Sequence, residues 1–299
     1  MSKIIIDTSA LLHAAHATTK LMLGDQPVGA IYGTLKYLRV ARQVAGGKMI
    51  ALHDGRSWRK DFFPEYKSNR VTTEEDAQRR VEIKQQRRQL SKFLTALGIT
   101  QVIASNMEAD DLAWMMVRSN PGENVVMVTR DHDWLQLVDE RVMWYSPIQG
   151  EEFVTPRNFK EKTDFDSTLQ FTQAKALMGD KGDDVPPVGG IGHAGCVALM
   201  QKFGSVEGMM NESIMPESRK WPKKFRDFVD STEKQDAFKR NMRLVNLRDP
   251  NTPKPEKLTI VKGDFNRAAF EEQCHDFAFQ SIIMQMDNFI APFAPEENT

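Results

Sequence analysis

The chain has 299 residues, and its 40 Lys and Arg balance 41 Asp and Glu, so the formal net charge is −1 and the protein is not strongly basic. Its two cysteines form no CxxC pattern, which argues against a disulfide scaffold and favours a reducing, cytoplasmic compartment. No signal peptide or long apolar run is recognisable. We therefore expect a soluble cytoplasmic protein without membrane contact, large enough for one big domain or two modest ones.

Strand-like apolar runs alternate with helical stretches along the first half of the chain. The predicted strands are 3–6, 49–53, 100–104, 125–129 and 142–145, and the predicted helices are 28–45, 74–97, 108–118 and 132–138. This alternation predicts an α/β fold with a mostly parallel central sheet flanked by helices. A mostly helical second region begins near residue 165.

Acidic residues stand where the predicted strands end. Asp7, Asp54 and Asp131 each follow an apolar run. Because the carboxyl ends of parallel strands form the edge where ligands bind, we expect these carboxylates to converge. They would repel one another unless something positive lay between them, and few basic residues in these segments could neutralise them in pairs. Further acids follow in the same segments: Glu108, Asp110, Asp111, Asp133, Asp180, Asp183 and Asp184.

Each of these acids also has an ordinary explanation, as a helix cap, a turn residue or a charge that suits the helix dipole. Their joint occurrence at strand ends and helix starts favours a binding site for divalent cations. Oxygen ligands without His or Cys indicate Mg²⁺ or Mn²⁺ rather than Zn²⁺. Two such ions suit phosphodiester hydrolysis, although a small-molecule phosphatase could use the same chemistry.

Basic residues concentrate between 56 and 92, where 11 Lys or Arg oppose six Asp or Glu. Arg80, Lys84, Arg87 and Arg88 recur at helical spacing and could present a basic stripe to phosphates, although a solvated surface helix has the same pattern. A second basic cluster, RKWPKKFR, covers 219–226.

A glycine-rich turn, PVGGIGHAG, separates a predicted helix that ends near Met178 from another over 193–203. Gly189, Gly190 and Gly192 would let the backbone approach a phosphate closely, with amides of the next helix aimed at it.

In combination, these segments resemble bacteriophage members of the 5′ nuclease (flap endonuclease) family, which are standalone relatives of the 5′-nuclease domain of bacterial DNA polymerase I. The resemblance runs from Asp7 to about Leu247. Its motifs are HDGRSWRKDFFPEYKSNR, EADDLAW, TRDHDWLQLV and ALMGDKGDDVPPVGGIG.

The resemblance implies a PIN-like or resolvase-like nuclease domain over 1–165, with a helical arch at about 64–95. It also implies a helical region over 166–299 with a duplex-binding helix-turn-helix (helix-hairpin-helix-like) at about 168–204. The expected enzyme is a standalone monomer that cuts DNA at 5′ flaps or 5′ ends near junctions. It would leave a 5′-phosphate and a 3′-hydroxyl.

The same resemblance assigns roles to individual residues. The first metal cluster would contain Asp54, Glu108, Asp110 and Asp111, with Asp7 beneath it. The second would contain Asp131, Asp133, Asp180 and Asp183. Tyr66, Lys67 and Arg70 would form the catalytic arch base, with Tyr66 as a stacking aromatic and Lys67 at the scissile phosphate. DNA contacts are expected from Arg59, Arg80, Lys84, Arg87, Arg88, Gly189, Gly190, Ile191 and Gly192. The implied cofactors are two or more Mg²⁺ ions, replaceable by Mn²⁺, and a K⁺ at the glycine turn.

Two positions depart from the family pattern. Ala194 stands where the family often has Lys, and Asp184 stands where it often has Asn. Two alternatives remain open: a PIN-type ribonuclease, which would lack the basic arch and the glycine turn, and a non-catalytic branched-DNA binding module, which would have lost its acids. A haloacid-dehalogenase-like phosphatase would need DxDxT after the first strand, where this chain has Asp7-Thr8-Ser9.

Overall fold

A six-stranded sheet lies at the centre of the computed structural model, which describes residues 2–69, 73–119, 121–148 and 153–295. In chain order, the strands are β1 (Lys3–Asp7), β2 (Met22–Leu23), β3 (Gln26–Pro27), β4 (Lys48–His53), β5 (Thr100–Ile103), β6 (Val125–Val128), β7 (Val142–Tyr145) and β8 (Thr259–Val261). The central sheet has the order β7-β6-β1-β4-β5-β8, and β2 pairs with β3 in a separate hairpin.

Five strands of this sheet are parallel, and β8 pairs antiparallel with β5. The chain runs outward from β1 through β4 and β5 on one side, then returns to place β6 and β7 on the other. The strand order therefore reverses between β1 and β6. In open α/β sheets, the carboxyl ends of the strands at such a reversal form the ligand-binding crevice.

Helices cover both faces of the sheet. In chain order, they are α1 (Thr8–Thr18), α2 (Gly29–Ala45), α3 (Arg59–Phe62), α4 (Glu74–Ala96), α5 (Ala109–Arg118), α6 (Phe159–Thr163), α7 (Thr168–Met178), α8 (His193–Phe203), α9 (Val206–Glu212), α10 (Lys223–Val229), α11 (Thr232–Val245), α12 (Arg267–Asp276), α13 (Gln280–Ile283) and α14 (Met286–Ile290). Short 3-10 helices span His132–Leu137, Lys181–Asp183 and Pro216–Lys220.

Strand β1 shows how the two faces are built. Successive side chains of a strand point to opposite faces. Ile5 accordingly packs in one hydrophobic cluster with residues of α5, α7, α8 and α11, whereas Ile4 and Ile6 pack in the other with residues of α1, α2, α4 and α12. Burial on both sides explains why the strand is a continuous apolar run rather than an alternating one.

The structure confirms the predicted α/β class and the five predicted strands. The helices predicted at 28–45, 74–97 and 108–118 are present within one residue at each end. The stretch predicted as a helix at 132–138 is a 3-10 helix, opened by Asp131, whose side chain accepts from the Asp133 N–H, and closed by extended backbone at Val138. Within the described ranges, no helix is both long and apolar enough to cross a membrane.

The end of the described chain returns to the sheet, which the expected division at residue 165 does not anticipate. Strand β8 extends the sheet beside β5. Phe270, Cys274 and Phe279 are buried in the same cluster as Phe93 of α4. Residues 259–293 therefore pack with the first half of the chain, and the region after 166 is not helical throughout. Both cysteines are free and buried.

Candidate active site

The three acids predicted at strand ends lie at the carboxyl edge of the sheet. Asp7 ends β1 and caps α1, accepting from the Ala10 N–H at 3.0 Å. Thr129, which follows β6, donates to the second Asp7 oxygen at 2.8 Å. Asp54 follows β4, where it accepts from the Ser9 hydroxyl and, at 2.9 Å, from the Ala109 N–H. These bonds join β1, β4, β6 and α5 at one edge.

The start of α5 brings three more acids to this edge, each with its own partners. Glu108 accepts from the Ser57 hydroxyl at 2.9 Å and from the Tyr66 hydroxyl at 3.0 Å. Asp110 accepts from the Trp134 indole N–H at 2.7 Å. Asp111 accepts from the Glu108 backbone N–H, which closes the first turn of the helix.

A lysine that the sequence analysis did not single out joins the second group of acids. Lys175, on α7, pairs with Asp133 and lies 2.7 Å from Asp180. Burial alone would lower the pKa of Lys175, but Asp133 and Asp180 outweigh burial and raise it. Asp180 also accepts from the Gly182 and Asp183 N–H groups. Lys175 therefore neutralises this group in the absence of any metal ion.

Lys67 bridges the two groups of acids. Its ammonium pairs with Glu108 and lies 3.4 Å from Asp183, and only 10% of its side chain is exposed. The Tyr66 hydroxyl donates to Asp183 at 2.8 Å as well as to Glu108. The structure therefore brings Tyr66, Lys67, Glu108 and Asp183 together, although they come from three distant segments.

Burial raises the pKa of several carboxyl groups. The pKa of Asp7 is raised to about 6 by burial and by the nearby charge of Asp54. Burial and Asp133 raise the pKa of Asp131 to about 7. Burial raises the pKa of Asp110 well above its usual range, and Asp131 and Glu108 raise it further. Burial also raises the pKa of Asp133. Ionising these groups together is unfavourable unless positive charge is nearby.

The acids differ in whether a cation neutralises them. Arg59, Lys67 and Lys175 pair with Glu108, Asp111, Asp133, Asp180 and Asp183. The acids that form no ion pair with any described residue are Asp7, Asp54, Asp110, Asp131 and Asp184, of which Asp184 is hydrogen-bonded to Asn69. In the described part of the chain, no three acidic, His or Cys side chains are already arranged to hold an ion. The expectation that few basic residues would neutralise these acids is therefore wrong for five of them.

Two residues have different surroundings from those predicted. Arg59 was expected to contact DNA, but it is only 1% exposed, and its guanidinium forms two hydrogen bonds with Asp111, at 2.9 and 3.0 Å. Its Nε also donates to the Leu244 carbonyl at 2.7 Å. Arg59 is thus an internal link to α11, and the predicted DNA contact is wrong. Both Asp111 oxygens bind Arg59, which argues against Asp111 as a metal ligand.

Tyr66 is also not the stacking platform that was expected. It is 2% exposed, and its hydroxyl is directed at Glu108 and Asp183. A base could not stack on this ring without a rearrangement. Burial raises the pKa of the Tyr66 hydroxyl, and the charges of Glu108 and Asp183 raise it further, so the group remains a hydrogen-bond donor. Arg70, the third predicted arch-base residue, lies outside the described residues.

The long basic helix α4 borders a cleft beside the acids. Arg80, Lys84 and Arg87 line this cleft of about 680 Å³, and Ser9 and Asp54 line it as well. Arg87 donates to the Asp54 carbonyl at 3.4 Å. Arg88 lines a different cavity, with His53 and Val261. Three of the four predicted stripe residues therefore face the acidic edge.

The glycine turn connects α7 to the start of α8. Gly189 and Gly190 have φ angles of +96° and +82°, which residues with a Cβ rarely adopt. Gly192 is the N-cap of α8. The Ile191 side chain is buried in the core, so only its backbone could face a ligand. The Lys224 ammonium, from α10, would lie 2.7 Å from a Cβ at Gly195.

Comparisons with known proteins identify the family of this chain. The family model described as 5′-3′ exonuclease, N-terminal resolvase-like domain, matches residues 2–164. A 5′-3′ exonuclease of Buchnera aphidicola is 29% identical over 216 residues, which cover 70% of this chain and 72% of that protein. A thermostable DNA polymerase I of Thermus filiformis is 28% identical over 199 residues. That match covers 64% of this chain but only 23% of the polymerase.

The fold is also similar to that of a solved phage protein. The flap endonuclease of bacteriophage T5, in a pseudo-enzyme–product complex with DNA and metal ions, superposes with a TM-score of 0.68 at 20% identity. The match covers 98% of this chain and 99% of that chain. At this identity, the similarity establishes the fold.

Proposed function

Because the chain belongs to the 5′-3′ exonuclease family, we propose that it hydrolyses DNA phosphodiester bonds where a 5′ single strand meets duplex. One site would give both exonuclease and flap endonuclease products, each cut leaving a 5′-phosphate and a 3′-hydroxyl. The observation that carries this proposal is the group of four carboxylates at the reversal of strand order, Asp7, Asp54, Asp110 and Asp131, which form no ion pair with a described residue.

These carboxylates fit divalent cations. Three of them have raised pKa values because they are buried near other acids, so a bound cation would relieve an unfavourable concentration of negative charge. All the candidate donors are oxygens, the ligands that Mg²⁺ prefers and that Mn²⁺ accepts. We assign the first ion to Asp7, Asp54, Glu108 and Asp110, and the second to Asp131, Asp133, Asp180 and Asp183. When bound, two ions would activate the attacking water and neutralise charge on the phosphate.

Lys67 is the residue we assign to the scissile phosphate. Its ammonium is held between Glu108 and Asp183, so it stands where the two groups of acids meet. A phosphate at this position would accept from the ammonium, which would offset the negative charge that develops during cleavage. Tyr66 keeps Glu108 and Asp183 in place through its hydroxyl.

Lys175 has a different role from Lys67. Its ammonium keeps Asp133 and Asp180 together while no metal ion is bound. Without it, the two carboxylates would have to separate or take up protons. We therefore assign Lys175 to the maintenance of the second metal cluster rather than to contact with the substrate.

The cleft beside α4 is the path we assign to the 5′ single strand. Arg80, Lys84 and Arg87 line it together with Asp54, so a strand held there by its phosphates would pass close to the acids. The duplex would contact the backbone amides of the glycine turn and the start of α8. The turn would also hold a K⁺ ion, which would supply positive charge for the phosphate backbone. Lys224 brings positive charge to the first turn of α8, near Ala194, where the family often has Lys.

The test is cleavage of a 5′-flap duplex, labelled in turn at each end of the flap strand, with Mg²⁺ and with EDTA. Asp131→Asn is the site variant. Asp276→Asn is the control, because Asp276 is exposed at the end of α12. We expect Mg²⁺-dependent cuts near the junction for wild type and control, and none for Asp131→Asn.

Other outcomes would favour the alternatives. Tight flap binding without cleavage by the wild type would support a branched-DNA binding module. Cleavage confined to single-stranded RNA would support a PIN-type ribonuclease. Normal cleavage by Asp131→Asn would refute the assignment of the metal site.

A further inference from the structure

Two loops meet beside the acids and are joined by backbone and side-chain hydrogen bonds. The arch-base loop (residues 63–69) carries Tyr66 and Lys67, and the second acidic loop (residues 180–185) carries Asp183 and Asp184. The Lys67 N–H donates to the Asp183 carbonyl at 2.9 Å. The Asn69 N–H donates to one Asp184 oxygen at 2.8 Å, and the Asn69 amide donates to the other at 3.0 Å.

The backbone on both sides of this contact is in the left-handed region. Lys67 has a φ of +55° and Asp184 a φ of +56°. Residues with a Cβ rarely adopt this conformation, and it persists only where surrounding contacts hold it. Here each strained residue lies in a loop that is hydrogen-bonded to the other. The two conformations therefore support one another.

The Asp184 side chain makes the part of this contact that involves Asn69. Both of its oxygens bind Asn69, and the hydrogen bonds from the Asn69 backbone and side chain lower the pKa of Asp184. Its neighbour Asp183 contacts the same loop at Tyr66 and Lys67. The carboxylate of Asp184 adds a second side-chain contact to the arch-base loop, at Asn69.

We propose that Asp184 is a positioning residue that fastens the arch-base loop to the second acidic loop and thereby holds the Lys67 ammonium between Glu108 and Asp183. This inference rests on the proposed function, because Lys67 acts at the scissile phosphate only if the protein is a nuclease. It also explains how an additional acid is tolerated beside the second metal cluster, since Asn69 satisfies both of its oxygens.

Substitutions at 184 and 69 separate the hydrogen bonds from the backbone strain. Asp184→Gly removes the carboxylate but adopts a positive φ without strain, so a loss in this variant does not come from backbone strain. Asp184→Asn tolerates the left-handed conformation and can keep both bonds if Asn69 reverses its amide. Asn69→Ala removes the side-chain bond and keeps the backbone bond. Asp276→Ala is the control at an exposed acid outside both loops.

Two measurements on the full chain decide the proposal. The first is hydrogen exchange of the amides of Lys67 and Asn69 in the DNA-free protein. The second is the single-turnover rate of 5′-flap cleavage with Mg²⁺ and enzyme in excess, alongside the dissociation constant for the flap in Ca²⁺. For Asp184→Gly, we expect exchange to quicken and the cleavage rate to fall, each by about three- to ten-fold, because both lost hydrogen bonds are exposed to solvent. Flap affinity should change by less than about three-fold, because the positioned group acts on the chemical step.

Asp184→Asn should retain most of the wild-type cleavage rate. The rate of Asn69→Ala should lie between those of Asp184→Asn and Asp184→Gly, and the rate of Asp276→Ala should equal that of wild type. A normal rate for Asp184→Gly would overturn the proposal. So would a reduced rate with unchanged amide exchange, because Asp184 would then act at the metal or the DNA. If the wild type does not cleave DNA, the proposed function fails, and Asp184 has no role in positioning Lys67 for cleavage. The exchange measurement would still show whether the two loops are fastened.

Discussion

Replacing Asp131 by Asn should stabilise the metal-free protein at high pH. Burial and Asp133 raise the pKa of Asp131 from its usual 3.8 to about 7, so the folded state keeps a proton that the unfolded state has lost. The contribution of Asp131 to the stability of the metal-free fold is therefore greatest at low pH. The free energy of unfolding falls as the pH rises from about 4 to about 7. A pKa shift of this size lowers the free energy of unfolding by roughly 4 kcal/mol above pH 7.

Asn is nearly isosteric, and its carbonyl can still accept the 2.8 Å bond from the Asp133 N–H, so the substitution removes the charge without removing the cap. We expect Asp131→Asn to raise the free energy of unfolding by up to roughly 4 kcal/mol at pH 8 and by roughly 1 kcal/mol at pH 4.5. For a protein of this size, the gain at pH 8 corresponds to a rise in melting temperature of about 5–10 °C.

The assay is thermal unfolding of both proteins in EDTA between pH 4.5 and 8, repeated with Mg²⁺. Added Mg²⁺ should stabilise the wild type more at pH 8 than at pH 5, because the metal competes with protons for the carboxylates. It should stabilise Asp131→Asn much less. If Asp131→Asn is no more stable than wild type at pH 8 in EDTA, then burial does not destabilise the Asp131 carboxylate, and our account of the acidic edge is wrong.

Three further substitutions test the cations. Lys67→Ala should slow single-turnover cleavage of a 5′-flap duplex more than it weakens binding in Ca²⁺, and an unchanged rate would remove Lys67 from the chemical step. Lys175→Ala should lower the melting temperature in EDTA, because breaking a buried ion pair costs about 3–5 kcal/mol. Added Mg²⁺ should recover part of this loss. Equal losses with and without Mg²⁺ would contradict a role for Lys175 at the second metal cluster. Arg59→Lys should lower the melting temperature, because Lys cannot form two parallel bonds to Asp111; a loss of flap affinity at unchanged stability would restore the DNA contact first predicted for Arg59.

The strands and the positions of the acids were predictable because their signals are local. Four of the five parallel strands contain a short apolar run followed directly by a polar residue, and β5 is the exception, with Gln101 inside it and Ala104 after it. Burial on both faces explains these apolar runs. The convergence of Asp7, Asp54 and Asp131 then follows from topology, since parallel strands end at one edge.

The cations were not predictable in the same way. Lys175 pairs with Asp133, 42 residues away, and Arg59 with Asp111, 52 residues away. Nothing in the local sequence distinguishes Arg59 from the exposed Arg56. A weak signal exists for Lys175, whose neighbours Ala174 and Ala176 are fully buried, since a lysine within an apolar stretch usually needs an acidic partner. Strand β8 carried a signal in Thr259-Ile260-Val261, a β-branched run typical of a strand.

The ion pairs of the site explain why the positions of the acids alone did not predict its whole arrangement. A protein that folds before it binds metal must keep its metal ligands from repelling one another, and this chain does so unevenly. Arg59, Lys67 and Lys175 neutralise five of the acids, so those parts of the site keep their geometry without ions; the five are Glu108, Asp111, Asp133, Asp180 and Asp183. Asp7, Asp110 and Asp131 are left to hold protons through raised pKa values. Protons leave Asp7 and Asp131 as the pH rises toward 7, so these carboxylates become available to cations in the range where the ion pairs of the other acids are intact.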